Sequence, residues 1–316
     1  MKKNIIKSIN NINNLSKLVL IKILVLSGGG MLGLSTIGSL KYLEELNLLK
    51  NINEYYGCSI GAIISLMLCL NYTVSEIINF SINFDFSIII ENINNLIKNY
   101  TMGNSKKYIE IIKSFMINKG YDSEITLEEL FKITNKKINF VVFNIKTRKE
   151  ELFNYINNPN LKVWEATYMT CSLPCLFEPY LYNDNYYCDG GVVSNNPIYL
   201  IPEDKQKNTI CIGLKINSVN KDMSILIENK NVINLFKYIF ELFYVSFHKN
   251  KHDLYNKYMN VICIEINNLS DFLNFNISKE KKLSNIKKGY NSCKNNLFNV
   301  INYLIKNNYD KNNILL

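Results

Sequence analysis

An α/β fold on a parallel sheet is what the sequence predicts, and three observations lead there. Two successive segments read strand, glycine-bearing turn, helix. A chain of 316 residues is long enough to bury one large core. No internal repeat or Pro/Gly-rich linker divides it. Hydrophobic residues make up 47% of the chain in ordered runs, which excludes a globally disordered protein.

Residues 1–23 form a basic N-terminal segment in which Ile5, Ile9, Ile12 and Leu15 recur at near-helical spacing among Lys2, Lys3, Lys7 and Lys17. An amphipathic helix is expected there. The β-favouring run Leu18–Leu26 then meets Ser27-Gly28-Gly29-Gly30 and passes into a helical pattern from Leu34 to Leu49. The second unit repeats this order: strand Asn53–Cys58, then Ser59, then an apolar helix Ile60–Leu70. Residues 74–135 read as mainly helical, a cap over one edge of the sheet. Lys137–Asn144 is a strand, with Glu151–Tyr155 as its antiparallel return. A helix from Trp164 to Cys171 ends before Pro174, and a brief strand Tyr186–Cys188 leads into Asp189-Gly190-Gly191. Strands Asn208–Ile216 and Val261–Ile266 and helices Val232–Phe247 and Ile286–Ile305 follow. A soft boundary near Pro202 divides a motif-bearing part, 24–202, from strands and helices, 203–316, that complete or flank it.

The net charge of +9 suits an anionic lipid surface or a nucleic acid. No zinc finger and no basic block interleaved with aromatics supports a nucleic acid. The 8 cysteines sit mostly inside apolar runs, so reduced buried thiols and an intracellular compartment are expected. Leu18–Leu26 is too short for a membrane span and is broken by Lys22. Any membrane contact is expected to be peripheral.

Three motifs carry chemistry. Gly57-Cys58-Ser59-Ile60-Gly61 is a G-x-S-x-G pentapeptide between a strand and a helix, the context of a nucleophile elbow. Gly57 and Gly61 relieve the tight bend, and the amides opening the helix, Ile60 first, favour a developing negative charge. Gly28-Gly29-Gly30-Met31-Leu32-Gly33 matches a dinucleotide loop, but Glu54 begins the next strand where a ribose-binding acid should end it. Backbone donors of an oxyanion hole, at Gly28, Gly29 and Gly30, are the better reading. Asp189, followed by Gly190 and Gly191, stands at a strand end, where α/β folds place reactive groups. A serine needs a base, and the chain has 2 histidines, His248 and His252, in the order that a Ser, Asp, His triad would allow. Both fall near the end of an apolar helix instead of in a loop, which leaves the triad a rival mechanism. Cys171, Cys175 and the same histidines have paired spacing that a zinc site could use, although they lie on distant elements.

The glycine loop, the elbow and Asp-Gly-Gly occur in an order that resembles the patatin-like phospholipase family. The resemblance extends to Trp164-Glu165-Ala166-Thr167, Ser172-Leu173-Pro174, Phe177-Glu178-Pro179 and Asn195-Asn196-Pro197, over roughly Leu24 to Pro202. It implies a three-layer α/β/α sandwich with a mainly parallel central sheet. It also implies a lipid acyl hydrolase in which Ser59 is nucleophile and Asp189 general base, with no catalytic histidine, metal or cofactor. Its substrate would be a membrane or micellar lipid. Two departures stand out: Leu32 where the family often has a basic residue, and the bulky run Thr167-Tyr168-Met169-Thr170-Cys171, expected to narrow an acyl channel. Beside this reading stand a histidine-dependent esterase and a catalytically silent lipid-binding protein.

Overall fold

The computed structural model describes residues 20–91, 101–216, 257–266 and 271–309. Strand β1 (Ile23–Leu26) leads through a tight helical turn at Gly30–Leu32 into α1 (Gly33–Glu45), and β2 (Glu54–Gly57) leads through Ser59 into α2 (Ile60–Cys69). Next come α3 (Val74–Asn83), a short turn Phe86–Ile89, α4 (Ser105–Ile117) and α5 (Leu127–Thr134). Capping boxes Thr73/Glu76 and Thr126/Glu129 start α3 and α5 by satisfying their first free amides. The hairpin β3 (Lys137–Asn144) and β4 (Lys149–Phe153) precedes α6 (Val163–Cys171), then β5 (Tyr180–Tyr182) and β6 (Asn185–Asp189). Strands β7 (Thr209–Ile216) and β8 (Val261–Ile266) and the long α7 (Lys279–Tyr309) follow.

The strands form one 8-stranded sheet in the order β5-β6-β3-β2-β1-β7-β8, with β4 paired to β3 outside that path. Pairs β1/β2, β2/β3, β1/β7 and β7/β8 are parallel, whereas β3/β4, β3/β6 and β5/β6 are antiparallel. The sheet is therefore mixed: parallel pairing runs from β3 through β2, β1 and β7 to the edge strand β8, antiparallel pairing is confined to β4, β5 and β6 at the other end, and helices flank the sheet. Alternation along β1 divides the core: Leu24 and Leu26 join the main cluster with α1 and α2, while Ile23 and Val25 face Tyr56, Cys211, Ile198 and Ile201. Each fully buried leucine of this kind contributes about 1.5–3 kcal/mol.

Helix α7 lies along α1 at very short range. A Cβ on Gly38 would sit 1.8 Å from the Ile286 carbonyl oxygen, and one on Gly289 would sit 1.7 Å from that of Ser35. Ser35 and Ser39 use the proximity, donating to the carbonyls of Asn285 and Gly289 at 3.0 and 2.8 Å.

Several boundaries differ from the sequence reading for physical reasons. Only Ile23–Leu26 of the apolar run is strand, and Leu20 is exposed. Helix α1 stops at Glu45 because Asn47 takes a left-handed φ of 57° and Leu48 donates back to the Leu43 carbonyl, a Schellman closure. The residues after Pro202 supply β7, which pairs directly with the central β1. All eight cysteines are free, six of them buried and Cys175 exposed. The expected N-terminal helix, the helix Val232–Phe247 and both histidines lie outside the described residues. Among the described residues no helix is long and apolar enough to cross a membrane.

Candidate active site

Sheet register brings the three motifs to one edge. Leu26 pairs with Gly57, Gly57 with Phe140, and Val142, two residues further along β3, with Asp189. The glycine loop, Ser59 and Asp189 thus emerge together at the carboxyl ends of the parallel strands, beside the point where the chain switches from one side of β1 to the other.

Ser59 has φ 53° and ψ −129°, a conformation that costs a non-glycine residue about 1–3 kcal/mol. Its surroundings enforce it. A Cβ on Gly61 would meet the Leu26 carbonyl oxygen at 2.4 Å, and one on Gly57 would meet the Ala62 Cα at 2.4 Å. The Ser59 amide donates to Thr170 Oγ1 at 3.2 Å, and Thr170 donates onward to the Val141 carbonyl at 2.5 Å. Buried Thr170 on α6 therefore ties the elbow to β3.

Asp189 is only 1% exposed. Its Oδ1 accepts from the Gly191 amide at 2.7 Å and from the Cys58 thiol at 3.7 Å, while Oδ2 is buried without a hydrogen-bond partner. Burial raises its pKa from 3.8 to about 6, against the lowering pull of the Ser59 hydroxyl, the Gly191 amide and the Cys58 thiol. An ionised, under-solvated carboxylate with a vacant acceptor oxygen beside a serine hydroxyl is suited to take that hydroxyl's proton. A Cβ on Gly190 would lie 2.6 Å from the Val141 carbonyl oxygen, so glycine is required where the chain leaves the sheet.

The three amides of the glycine loop are not equivalent. The Gly28 amide donates to the Asn195 carbonyl at 2.9 Å and Asn195 Nδ2 donates back to the Gly28 carbonyl at 2.8 Å. That corrects the expectation for Gly28: its amide is committed to holding the loop, so it is not a spare donor. The amides of Gly29, Gly30 and Ile60 have no acceptor among the described residues. Gly30 adopts φ +51°, and a Cβ there would lie 2.4 Å from the Phe272 carbonyl oxygen, which also accepts the Met31 amide at 3.0 Å. Gly33 lets Ile60 approach, since its Cβ would be 2.6 Å from Ile60 Cγ1.

Ser59, Gly30 and Ile60 line a cavity of about 100 Å3 whose remaining walls are mostly apolar, among them Met67, Phe80 and Phe115. Of the bulky run on α6, only Cys171 reaches this cavity. Tyr168 is instead held by its hydroxyl between Ser105 Oγ and the Glu178 carbonyl, so the expected narrowing by that run comes down to one thiol. A larger cavity of about 310 Å3 lies at the opposite ends of the strands, near Ile52 and Lys136, and contains none of the three motifs. Among the described residues no group of three or more His, Cys, Asp or Glu side chains could hold a metal. Phe272 has no mark in the sequence, and Thr170 and Asn195 stand out there only as members of the bulky run and of Asn-Asn-Pro. A lone threonine on a helix and a carbonyl in a loop carry no local signal.

The sequence model for patatin-like phospholipases matches residues 24–201. The chain is 32% identical over 182 residues to the probable lipid hydrolase 463L of Invertebrate iridescent virus 6, covering 56% of this chain and 62% of that protein. It is 27% identical over 295 residues to protein R571 of Acanthamoeba polyphaga mimivirus, covering 90% and 96% of the two chains. In fold it is similar to VipD from Legionella pneumophila, with a TM-score of 0.60 at 17% identity over 91% of this chain and 67% of that one.

Proposed function

Since this chain belongs to the patatin-like phospholipase family, we propose that it hydrolyses fatty-acyl esters of lipids through Ser59 and Asp189. The observation that carries the reading is the unpartnered Oδ2 of a buried Asp189 next to a strained Ser59, at an apolar cavity. Asp189 takes the hydroxyl proton as Ser59 Oγ attacks the ester carbonyl carbon. The carbonyl oxygen gains the negative charge and is met by the amides of Gly29, Gly30 and Ile60, each worth about 3 kcal/mol in such a role. The intermediate collapses, the C–O bond to the alcohol breaks, and Asp189 returns its proton to the leaving oxygen. Asp189 then deprotonates a water that attacks the acyl carbonyl carbon, the bond from that carbon to Ser59 Oγ breaks, Asp189 returns the proton to Oγ, and the fatty acid departs. With a pKa of about 6, the carboxylate is mostly ionised at neutral pH and still basic enough to work.

The substrate reaches the site from a lipid surface, and the apolar cavity takes the acyl chain. The net charge of +9 favours anionic bilayers met peripherally. The test is fatty-acid release from mixed phospholipid vesicles in chelator, comparing the parent with Ser59→Ala, Asp189→Asn and the pair His248→Ala/His252→Ala. Release that survives chelation and the histidine changes but disappears with either dyad substitution supports the reading. Loss with the histidine pair would replace it by a triad mechanism, and no release from any lipid would leave a lipid-binding protein.

A further inference from the structure

One wall of the apolar cavity is held in place by a part of the chain outside the matched segment. Helix α3 ends at Asn83, leaving its last carbonyls without partners inside the helix. Lys282, in the first turn of α7, reaches that end: Nζ donates to the Phe84 carbonyl at 2.6 Å and to the Ile82 carbonyl at 3.3 Å. The same ammonium lies 4.9 Å from the centre of the Phe86 ring. Lys282 is 5% exposed, so its charge is desolvated to a degree that a surface lysine avoids. Lys279, three residues earlier on α7, adds a bond to Asn83 Oδ1 at 3.1 Å.

What this clasp holds is a group of packed rings. Phe80 lies 4.9 Å from Phe84, 6.3 Å from Phe86 and 5.1 Å from Phe115, and Phe84 lies 5.1 Å from Phe86. All four rings line the cavity that also contains Ser59. We infer that Lys282 is a positioning residue for acyl-chain selection: it caps α3, seats Phe86, and so fixes the aromatic wall against which a long acyl chain packs. The inference rests on the proposed use of this cavity. An acetyl group is held at Ser59 by the elbow and the glycine loop alone, whereas a long chain also depends on the wall. Loss of the clasp should weaken long-chain binding and leave the chemistry at the ester untouched.

The experiment measures kcat and KM for p-nitrophenyl acetate and p-nitrophenyl decanoate with the parent, Lys282→Met, Lys282→Gln and Lys282→Arg, each normalised to its folded fraction by thermal melting. Methionine keeps the apolar stem and removes the donors and the charge. The expected result is a fall of about tenfold in the decanoate-to-acetate ratio of kcat/KM for Lys282→Met, carried mainly by KM, with acetate turnover within about twofold of the parent. Arginine should restore the ratio. If Lys282→Met does not fold, Lys282→Gln, which keeps one donor group, is expected to show a smaller fall in the same ratio. An unchanged ratio, or equal losses on both esters, overturns the inference. Ser59→Ala run in parallel separates the two readings, because acetate turnover that survives it defeats the dyad whatever Lys282 does.

Discussion

Replacing Asp189 by Asn is expected to make the protein inactive and, at alkaline pH, more stable. The carboxyl is 1% exposed and its pKa rises from 3.8 to about 6, chiefly through burial. A raised carboxyl pKa means that the native state holds the proton more tightly than the unfolded chain. Stability therefore falls as pH climbs through the window from 3.8 to about 6, and the cost is complete above it. A displacement of that size corresponds to about 3 kcal/mol. Asn has the same shape and no charge, so Asp189→Asn removes the penalty. Oδ2 makes no hydrogen bond that the amide nitrogen would forfeit, although the nitrogen's own burial offsets part of the gain. The pH-dependent part of the difference is free of that offset. It should grow from under about 1 kcal/mol near pH 4 to about 3 kcal/mol at pH 8. Urea denaturation of both proteins at matched pH values, followed by the fluorescence of Trp164, measures it. A stability difference that stays flat between pH 4 and pH 8 would refute the reasoning, because no buried charge would then be at stake.

The same carboxyl predicts an acid limb in the rate profile: kcat/KM for ester hydrolysis should fall tenfold per pH unit below about 6, and a limb near pH 4 would contradict it. Gly30→Ala places a Cβ 2.4 Å from the Phe272 carbonyl oxygen at a φ of +51°. It should cost about 1–3 kcal/mol of stability and lower kcat more than a hundredfold by displacing an oxyanion donor, with a near-parental kcat as the contrary result. Thr170→Val removes the acceptor of the Ser59 amide and the donor to the Val141 carbonyl. A loss of about 1–3 kcal/mol is expected from the stranded polar groups, and kcat should fall while KM holds; steady-state kinetics on the purified variant decide it.

Much of this was legible because the motifs sit on elements with strong local signals. The run ILVL, the pentapeptide around Ser59 and the alternation in Lys137–Asn144 each declare their structure within ten residues. Strand β5, only three residues long and half-exposed, offers no such pattern. The antiparallel setting of β6 against β3 was equally hidden, since pairing direction depends on what lies across the sheet. The return strand begins at Lys149, two residues earlier than the apolar pattern suggests, because Arg148 turns with a left-handed φ of 56°. At the candidate site the glycine loop was read as three equal donors. Asn195, 167 residues away, makes them unequal by occupying Gly28. Phe272, Thr170 and Lys282 act through contacts between segments far apart in the chain, which a single sequence does not encode as a pattern.

The glycine-to-backbone contact between α1 and α7 sets the order in which the molecule can be assembled. Ser35 and Ser39 bond to residues 250 positions later, so this seam belongs to the slowest class of native contact, the kind whose loop must close before it returns any energy. With a ribosome adding about 5–20 residues per second, roughly 10–50 s separate the synthesis of the two sides. Until Thr209–Ile216 is made, within that interval, β1 also lacks β7, and the open edge of the central strand invites pairing with other chains. Phe272, which steadies the glycine loop, and Lys282, which steadies the aromatic wall, come from the same late stretch. A nascent chain that already carries Ser59 and Asp189 thus still lacks the contacts by which Phe272 and Lys282 brace the glycine loop and the aromatic wall.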